Sequence, residues 1–252
     1  MMTRAKSHDE TAEDWLAGMV WGLTMMASRD VERAAIHPQT AIHALRVRMK
    51  KLRAVLRLGE GAGMDLGGLH ERCRDILKGV SQARDEVVMQ KLYRKLFDEA
   101  APWQIAQGKK DWSMARLRRD VRHLEKLAAG ATFSGLTWSR VAVNHADCLR
   151  RARKALNRCE HSNDTDRFHT LRKRVKTLLY QILALPESRS LSRRVKRAKA
   201  LGKKLGREHD LAVLAKRLAE HGCESALLEQ VERRRLRMHA GLREKGDILL
   251  RR

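Results

Sequence analysis

Strand-building residues are scarce in this chain, which has three phenylalanines and two tyrosines among 252 residues. No alternating apolar run is bracketed by Asn-Gly or Asp-Gly turns, so no β-hairpin is predicted. Prolines number three, and with 43% apolar residues the composition is ample for a globular helical core. The four cysteines, Cys73, Cys148, Cys159 and Cys223, form no Cys-x-x-Cys pair, which leaves neither a disulfide framework nor a zinc knuckle to expect. No stretch approaches the roughly eighteen uninterrupted apolar residues of a membrane span. The opening residues, Met1 to Glu10, lack the apolar core of an export signal. The expectation is an all-α protein of a reducing cytoplasm, without membrane insertion.

Catalytic signatures are missing too. There is no Walker loop, no Gly-x-Ser-x-Gly elbow and no paired carboxylate array for magnesium. His70-Glu71-Arg72-Cys73 begins like a zincin motif but lacks the second histidine. Five glycines fall between Gly59 and Gly68, yet no Gly-Lys-Ser/Thr follows, so the segment reads as a chain reversal and not a phosphate loop. Asp85 and Asp210 invite a catalytic reading, one in each half, but an aspartate that opens a helix caps free N–H groups and favours the positive end of the dipole. No enzyme activity, cofactor or metal is expected.

Acidic residues are the remaining shortage. Thirty Asp and Glu face 54 Lys and Arg, a formal net charge of +24, well beyond the magnitude of about 2–8 that keeps a small domain soluble. Such a field draws in polyanions. Its placement is clearest in Ile42 to Leu58, where Leu45, Met49, Leu52 and Leu56 share one helical stripe. His43, Arg46, Lys50, Arg53 and Arg57 share the stripe beside it. No Asp or Glu occurs from His43 to Leu58, nor from His169 to Leu185, although a solvated helix face normally intersperses acids for i,i+4 pairing. A bound anion is the natural compensation.

The pattern occurs twice. His-x-Leu-Arg-x-Arg-apolar-Lys runs from His43 to Lys50 and again from His169 to Lys176, an offset of 126 residues, half the chain. A whole subdomain is therefore duplicated, and no short solenoid repeat is needed. A second pair of rows follows, Arg74 and Lys78 in the first half and Lys199, Lys203 and Arg207 in the second, each at four-residue spacing.

These residues resemble the CHAD family, the conserved-histidine α-helical domain, whose two repeats each open with a His-x-x-Arg helix. The resemblance extends to Ala83-Arg84-Asp85 and Val87-Val88, answered by Glu208-His209-Asp210 and Val213. It implies two four-helix bundles related by a pseudo-twofold axis, a basic cavity between them, and non-catalytic binding of inorganic polyphosphate with association to polyphosphate granules. The Glu-x-Glu-x-Lys signature of the triphosphate tunnel enzymes that often accompany such domains is absent. Thr177 and Leu179 stand where family members tend to carry basic residues, so the first repeat helix is expected to supply more of the charge.

The candidate polyphosphate-binding residues in the first half are His43, Arg46, Lys50, Lys51, Arg53, Arg74 and Lys78. In the second half they are His169, Arg172, Lys173, Lys176, Lys199, Lys203 and Arg207. Lys51 flanks the stripe and enters because similar positions in the family are basic. RNA or DNA binding is the alternative within the polyanion class. A phosphohydrolase or polyphosphate-transferring enzyme is the alternative outside it. Metal ligation by His43 and His169 fits poorly, because the surrounding Arg and Lys repel a divalent cation. Single-strand binders interleave aromatics with cations. Here Trp15, Trp21, Trp103, Trp112 and Trp138 lie outside the basic helices, and only Phe168 and Tyr180 are near one, so the tryptophans read as packing residues and the partner as one without bases.

The expected organisation is a single domain spanning 1–252, built of helical halves at 8–130 and 131–252, with Ala129 to Gly135 as the junction. Thr11 to Asp14 is predicted to cap the first helix and Pro38 to open the second. Further helices are predicted at about 69–80, 85–100, 111–127, 137–158, 164–185 and 191–205, with a terminal helical region over 210–250.

Overall fold

The computed structural model describes residues 10–61, 66–80, 82–103, 113–186 and 188–251. Among the described residues there are nine helices and no strand, so the fold is all-α. The first five are α1 (Ala12–Arg33), α2 (Pro38–Leu56), α3 (Gly67–Gly79), α4 (Gln82–Phe97) and α5 (Met114–Ala129). They are followed by α6 (Trp138–Asn157), α7 (Thr165–Ala184), α8 (Arg189–Glu220) and α9 (Ser225–Leu250).

Local chemistry sets the boundaries. The Thr11 hydroxyl accepts a hydrogen bond from the Asp14 amide at 3.1 Å, which satisfies one of the four orphan donors of α1. Pro38 occupies the first position of α2, where its missing N–H costs no intrahelical bond. Ser113 caps α5 by accepting from the Arg116 amide, and the stripe Leu117, Val121, Leu124 and Ala128 is buried.

The chain divides into two compact units. The first comprises Met1–Arg84, Lys109–Asp147 and Tyr180–Ser188. In it α1 packs on α2 and α5, and α3 packs on the same two helices, so four helices close into a bundle. Leu16, Val20, Leu45, Met49, Leu52, Leu56, Cys73, Ile76 and Leu124 are its fully buried centre. Phe133 and Leu136, from the loop after α5, belong to the same core. The end of α7 is tied in as well, since the Gln181 side-chain amide donates to the Ala54 carbonyl at 3.2 Å.

The second unit comprises Asp85–Gly108, Cys148–Leu179 and Arg189–Arg252. Here α8 and α9 form a long helical hairpin. Met89, Tyr93 and Trp103 bury themselves against Leu211, Leu214 and Leu218 of α8 and Val231 of α9. α4 thus belongs with α8 and α9 although it precedes α5 in the chain. At the other end of α9, Leu156 of α6 lies so close to Gly246 that a Cβ there would meet its Cδ1 at 2.5 Å. The carbonyls of the last turn of α9 take donors from neighbours: Arg153 donates to Leu250 and Arg197 to Ile248. Such basic capping satisfies orphan carbonyls and complements the dipole.

Three sequence expectations are corrected. The break predicted between residues 205 and 210 is absent, and α8 runs unbroken through Gly202 and Gly206. Each interior glycine costs about 1 kcal/mol relative to alanine, but Leu201 and Leu205 before the predicted break and Leu214 and Leu218 after it are all fully buried, and each contributes about 1.5–3 kcal/mol. The real break is at His221 to Glu224, where Gly222 adopts a left-handed φ of 61°, a conformation glycine takes without steric cost. Asp210 is consequently a residue of the helix interior and no cap. Asp85 is the fourth residue of α4 and does not open it; its side chain lies outside the described residues, as does Trp112. Trp21 is 48% exposed, whereas Trp15 and Trp103 are buried and Trp138 packs on Trp15 at a centroid distance of 5.2 Å.

Candidate functional site

Each compact unit carries one cationic row. In the first, α3 runs back along α2, and the cationic stripe of α2 is half-buried beside it. Arg46 is only 9% exposed, and its Nη1 donates at 3.1 Å to the carbonyl of Val80, the residue that ends α3. Farther along, Arg53 approaches the other end of α3. Burial, with the Arg57 and Arg53 guanidiniums adding to it, pushes His70 down to about 4. Burial pushes the Cys73 thiol up to about 12, against the pull of Arg53. The Nε of Arg53 is buried with no hydrogen-bond partner.

The flanking residues of this row differ in exposure. His43, Arg74 and Lys78 are exposed, while Lys50 and Lys51 are half-buried. Arg74 stands 3.6 Å from Glu71, a solvated pair worth little. Arg48, two residues from Arg46, turns to α1 instead, where its Nε donates at 2.6 Å to Asp30.

In the second unit, His169 at the head of the repeat stacks on His209 of α8 with centroids 4.4 Å apart. Their Nδ1 atoms are 3.1 Å from one another. Burial lowers the pKa of both, with Lys173 and Arg172 adding to the effect at His169. His209 is pushed down to about 4 by burial, then by Arg172 and His169. Burial and the charge of Arg172 also lower the Lys176 ammonium below its usual value. The Lys176 side chain crosses Gly202, its Nζ 3.6 Å from where a Cβ would stand. Arg172 Nε is buried with no hydrogen-bond partner, like Arg53 Nε. Lys173 is exposed, as are Lys199, Lys203 and Arg207 on α8.

Behind the histidine pair is a buried carboxylate. Glu208 is 1% exposed and accepts from Arg235 Nη1 at 3.2 Å and from His239 Nε2 at 3.3 Å. Phe168 stacks on His239 at 3.9 Å. A charge this deep persists only when paired and hydrogen-bonded, so Glu208 is committed to α9 and leaves the cations of α7 uncompensated. Among the described residues no three His, Cys, Asp or Glu side chains form a metal-ligand group.

Sequence reasoning missed His70, His209 and the Glu208 cluster. Gly202 was the available signal for His209: a glycine inside a strongly periodic helix marks a close approach, and His209 lies seven residues on, nearly in line with it.

A family model, the CHAD domain, matches residues 25–219. The chain belongs to the CHAD family. All fourteen candidate residues, from His43 to Arg207, lie within the matched span, while the whole of α9, with Arg235 and His239, lies beyond it. The fold is also that of the crystal structure of the CHAD domain from the plant Ricinus communis, with a TM-score of 0.69. The two are 18% identical over 98% of this chain and 93% of that one. No curated protein matches the sequence.

Proposed function

We propose that this CHAD protein binds inorganic polyphosphate through the two cationic rows, without turning it over, and that it associates with polyphosphate granules in the cytoplasm. The observation that carries the reading is the pair of buried guanidinium nitrogens, Arg53 Nε and Arg172 Nε, that have no protein partner. A buried N–H left without an acceptor costs about 1–3 kcal/mol, and each sits in a run of its helix that holds no Asp or Glu, His43–Leu56 on α2 and His169–Ala184 on α7. A phosphoryl oxygen supplies the missing acceptor, and the arginine fork grips such oxygens bidentately. The adjacent lysines act as point charges along a repeating anion.

Competition of labelled long-chain polyphosphate against tRNA and duplex DNA tests the reading, with phosphate release followed in parallel in the presence of magnesium. Polyphosphate is expected to resist displacement by either nucleic acid, and no phosphate is expected to appear. Equal displacement by tRNA would favour a general nucleic-acid binder, and released phosphate would make the protein an enzyme. Imaging of a tagged protein in cells with and without polyphosphate synthesis tests granule association, since diffuse signal in both removes that part.

A further inference from the structure

His169 and His209 are an unusual pair for a surface rich in cations. With Nδ1 facing Nδ1 at 3.1 Å, one ring donates its proton and the other must accept. A neutral pair satisfies this directly. One extra proton fits too, on the outer nitrogen of the donating ring. A second extra proton would have to enter the accepting Nδ1, which forces the rings apart. The contact therefore exists only while the pair holds at most one excess proton.

The charges around the pair decide how many protons it holds. From α7, Arg172 and Lys173 disfavour protonation of both rings, while Asp166 favours it at His169. From α8, Glu208 favours it at both, but that carboxylate is already held by Arg235 and His239 of α9. Burial acts on the same side as the cations, and His209 falls to about 4. Burial and these cations hold the free pair below the usual imidazole value, against the weaker pull of the exposed Asp166, and a nearer anion would reverse this.

Polyphosphate bound on Arg172 and Lys173 is that anion. We infer that His169 and His209 take up protons when polyphosphate binds, so that His209 is a phosphoryl-binding residue and the affinity of this row is set by pH. The inference rests on the polyphosphate reading and deepens it. An imidazolium offers a charged N–H to a phosphoryl oxygen where the neutral pair spends one N–H on its neighbour. Since the bound state holds more protons than the free one, affinity climbs as pH falls through the bound-state pKa. It levels off below about 4, where His209 is protonated even without ligand.

Calorimetry with long-chain polyphosphate, whose internal phosphoryls stay ionised throughout this range, tests the inference at pH 6 in two buffers of different ionisation enthalpy. The wild type is expected to take up protons on binding, and its affinity to rise severalfold from pH 7.5 to 5.5. His209→Gln is expected to remove most of the uptake and flatten the profile. The same substitution at His70, the other histidine lowered to about 4, controls for protonation in the first unit. His209→Lys provides a permanent cation and is expected to bind at pH 7.5 at least as well as wild type, with a shallower pH dependence, which a purely structural histidine would not show. Tight binding by wild type with no buffer dependence, or the same uptake in wild type and His209→Gln, overturns the inference and leaves polyphosphate binding intact. No binding at any pH would instead remove the functional reading on which it rests.

Discussion

At the scale of single residues, Arg46 and Arg48 show how two identical side chains on one helix acquire different roles. They point roughly 200° apart on the helical wheel, and the structure gives each its own partner. Arg48 closes a salt bridge on Asp30, which is 3% exposed. Arg46 lies in the cationic row. Arg46→Ala is expected to weaken polyphosphate binding by about 1.5–3 kcal/mol, the range for hydrogen bonds to charged groups. Arg48→Ala is expected to leave affinity unchanged and to cost about 1–3 kcal/mol of stability by stranding a buried carboxylate. Ligand titration and urea unfolding of both variants separate the two effects. The same contrast, of smaller size, is expected for Arg172 against Arg174. Equal affinity losses within either pair, at unchanged helicity, would mean that the charge acts only as a diffuse field. The angular separation was legible from periodicity alone, but the near-complete burial of Arg46 was not. It depends on where α3 ends, and only packing brings the Val80 carbonyl to that guanidinium.

At the scale of helices, α6 and α9 meet so closely that Gly246 has no room for a side chain. A methyl group on Gly246 would stand 2.5 Å from Leu156 Cδ1 and 3.0 Å from Cδ2, and Leu156 is fully buried. Gly246→Ala gains helix propensity of about 1 kcal/mol yet is expected to destabilise by about 1–3 kcal/mol, because overpacking outweighs it. Thermal unfolding checks the sign, and Leu156→Ala in the same chain should recover part of the loss by removing the obstructing methyls. Amphipathic stripes and caps made most helices readable: Thr11, Pro38, and the Leu117 to Ala128 stripe each do locally what their residue types favour. The failures came where tertiary burial overrides local preference. Gly206 reads as a stop, but the leucines around it keep α8 helical. α4 reads as part of the first half, but Met89 and Tyr93 find their apolar partners in α8 and α9, more than 110 residues away in sequence.

At the scale of the whole molecule, charge outside the rows has a separate consequence. The candidate set contains twelve Lys and Arg, and setting these aside lowers the net charge only from +24 to +12. Some of the remainder lines the outer face of α5, where Arg118, Arg119, Arg122 and Lys126 are exposed opposite the buried stripe. No ion pair is recorded for these four among the described residues. Cations in direct contact with a polyanion release counterions, and in nucleic-acid complexes each steepens the fall of log affinity with log salt by about 0.7–0.9. Cations that only shape the field chiefly alter the association rate. The two classes therefore separate kinetically. Arg53→Gln is expected to speed dissociation of polyphosphate and to reduce the salt slope by about one contact. Replacing Arg118, Arg119, Arg122 and Lys126 together by glutamine, a comparably good helix former, is expected to slow association severalfold at low salt and leave dissociation unchanged. Stopped-flow or surface-based kinetics over a range of salt reads both. If the α5 variant loses affinity through faster dissociation, that outer face is itself a contact surface and the division between gripping rows and steering field is wrong. If neither variant alters the salt slope, binding is not organised by these cations at all.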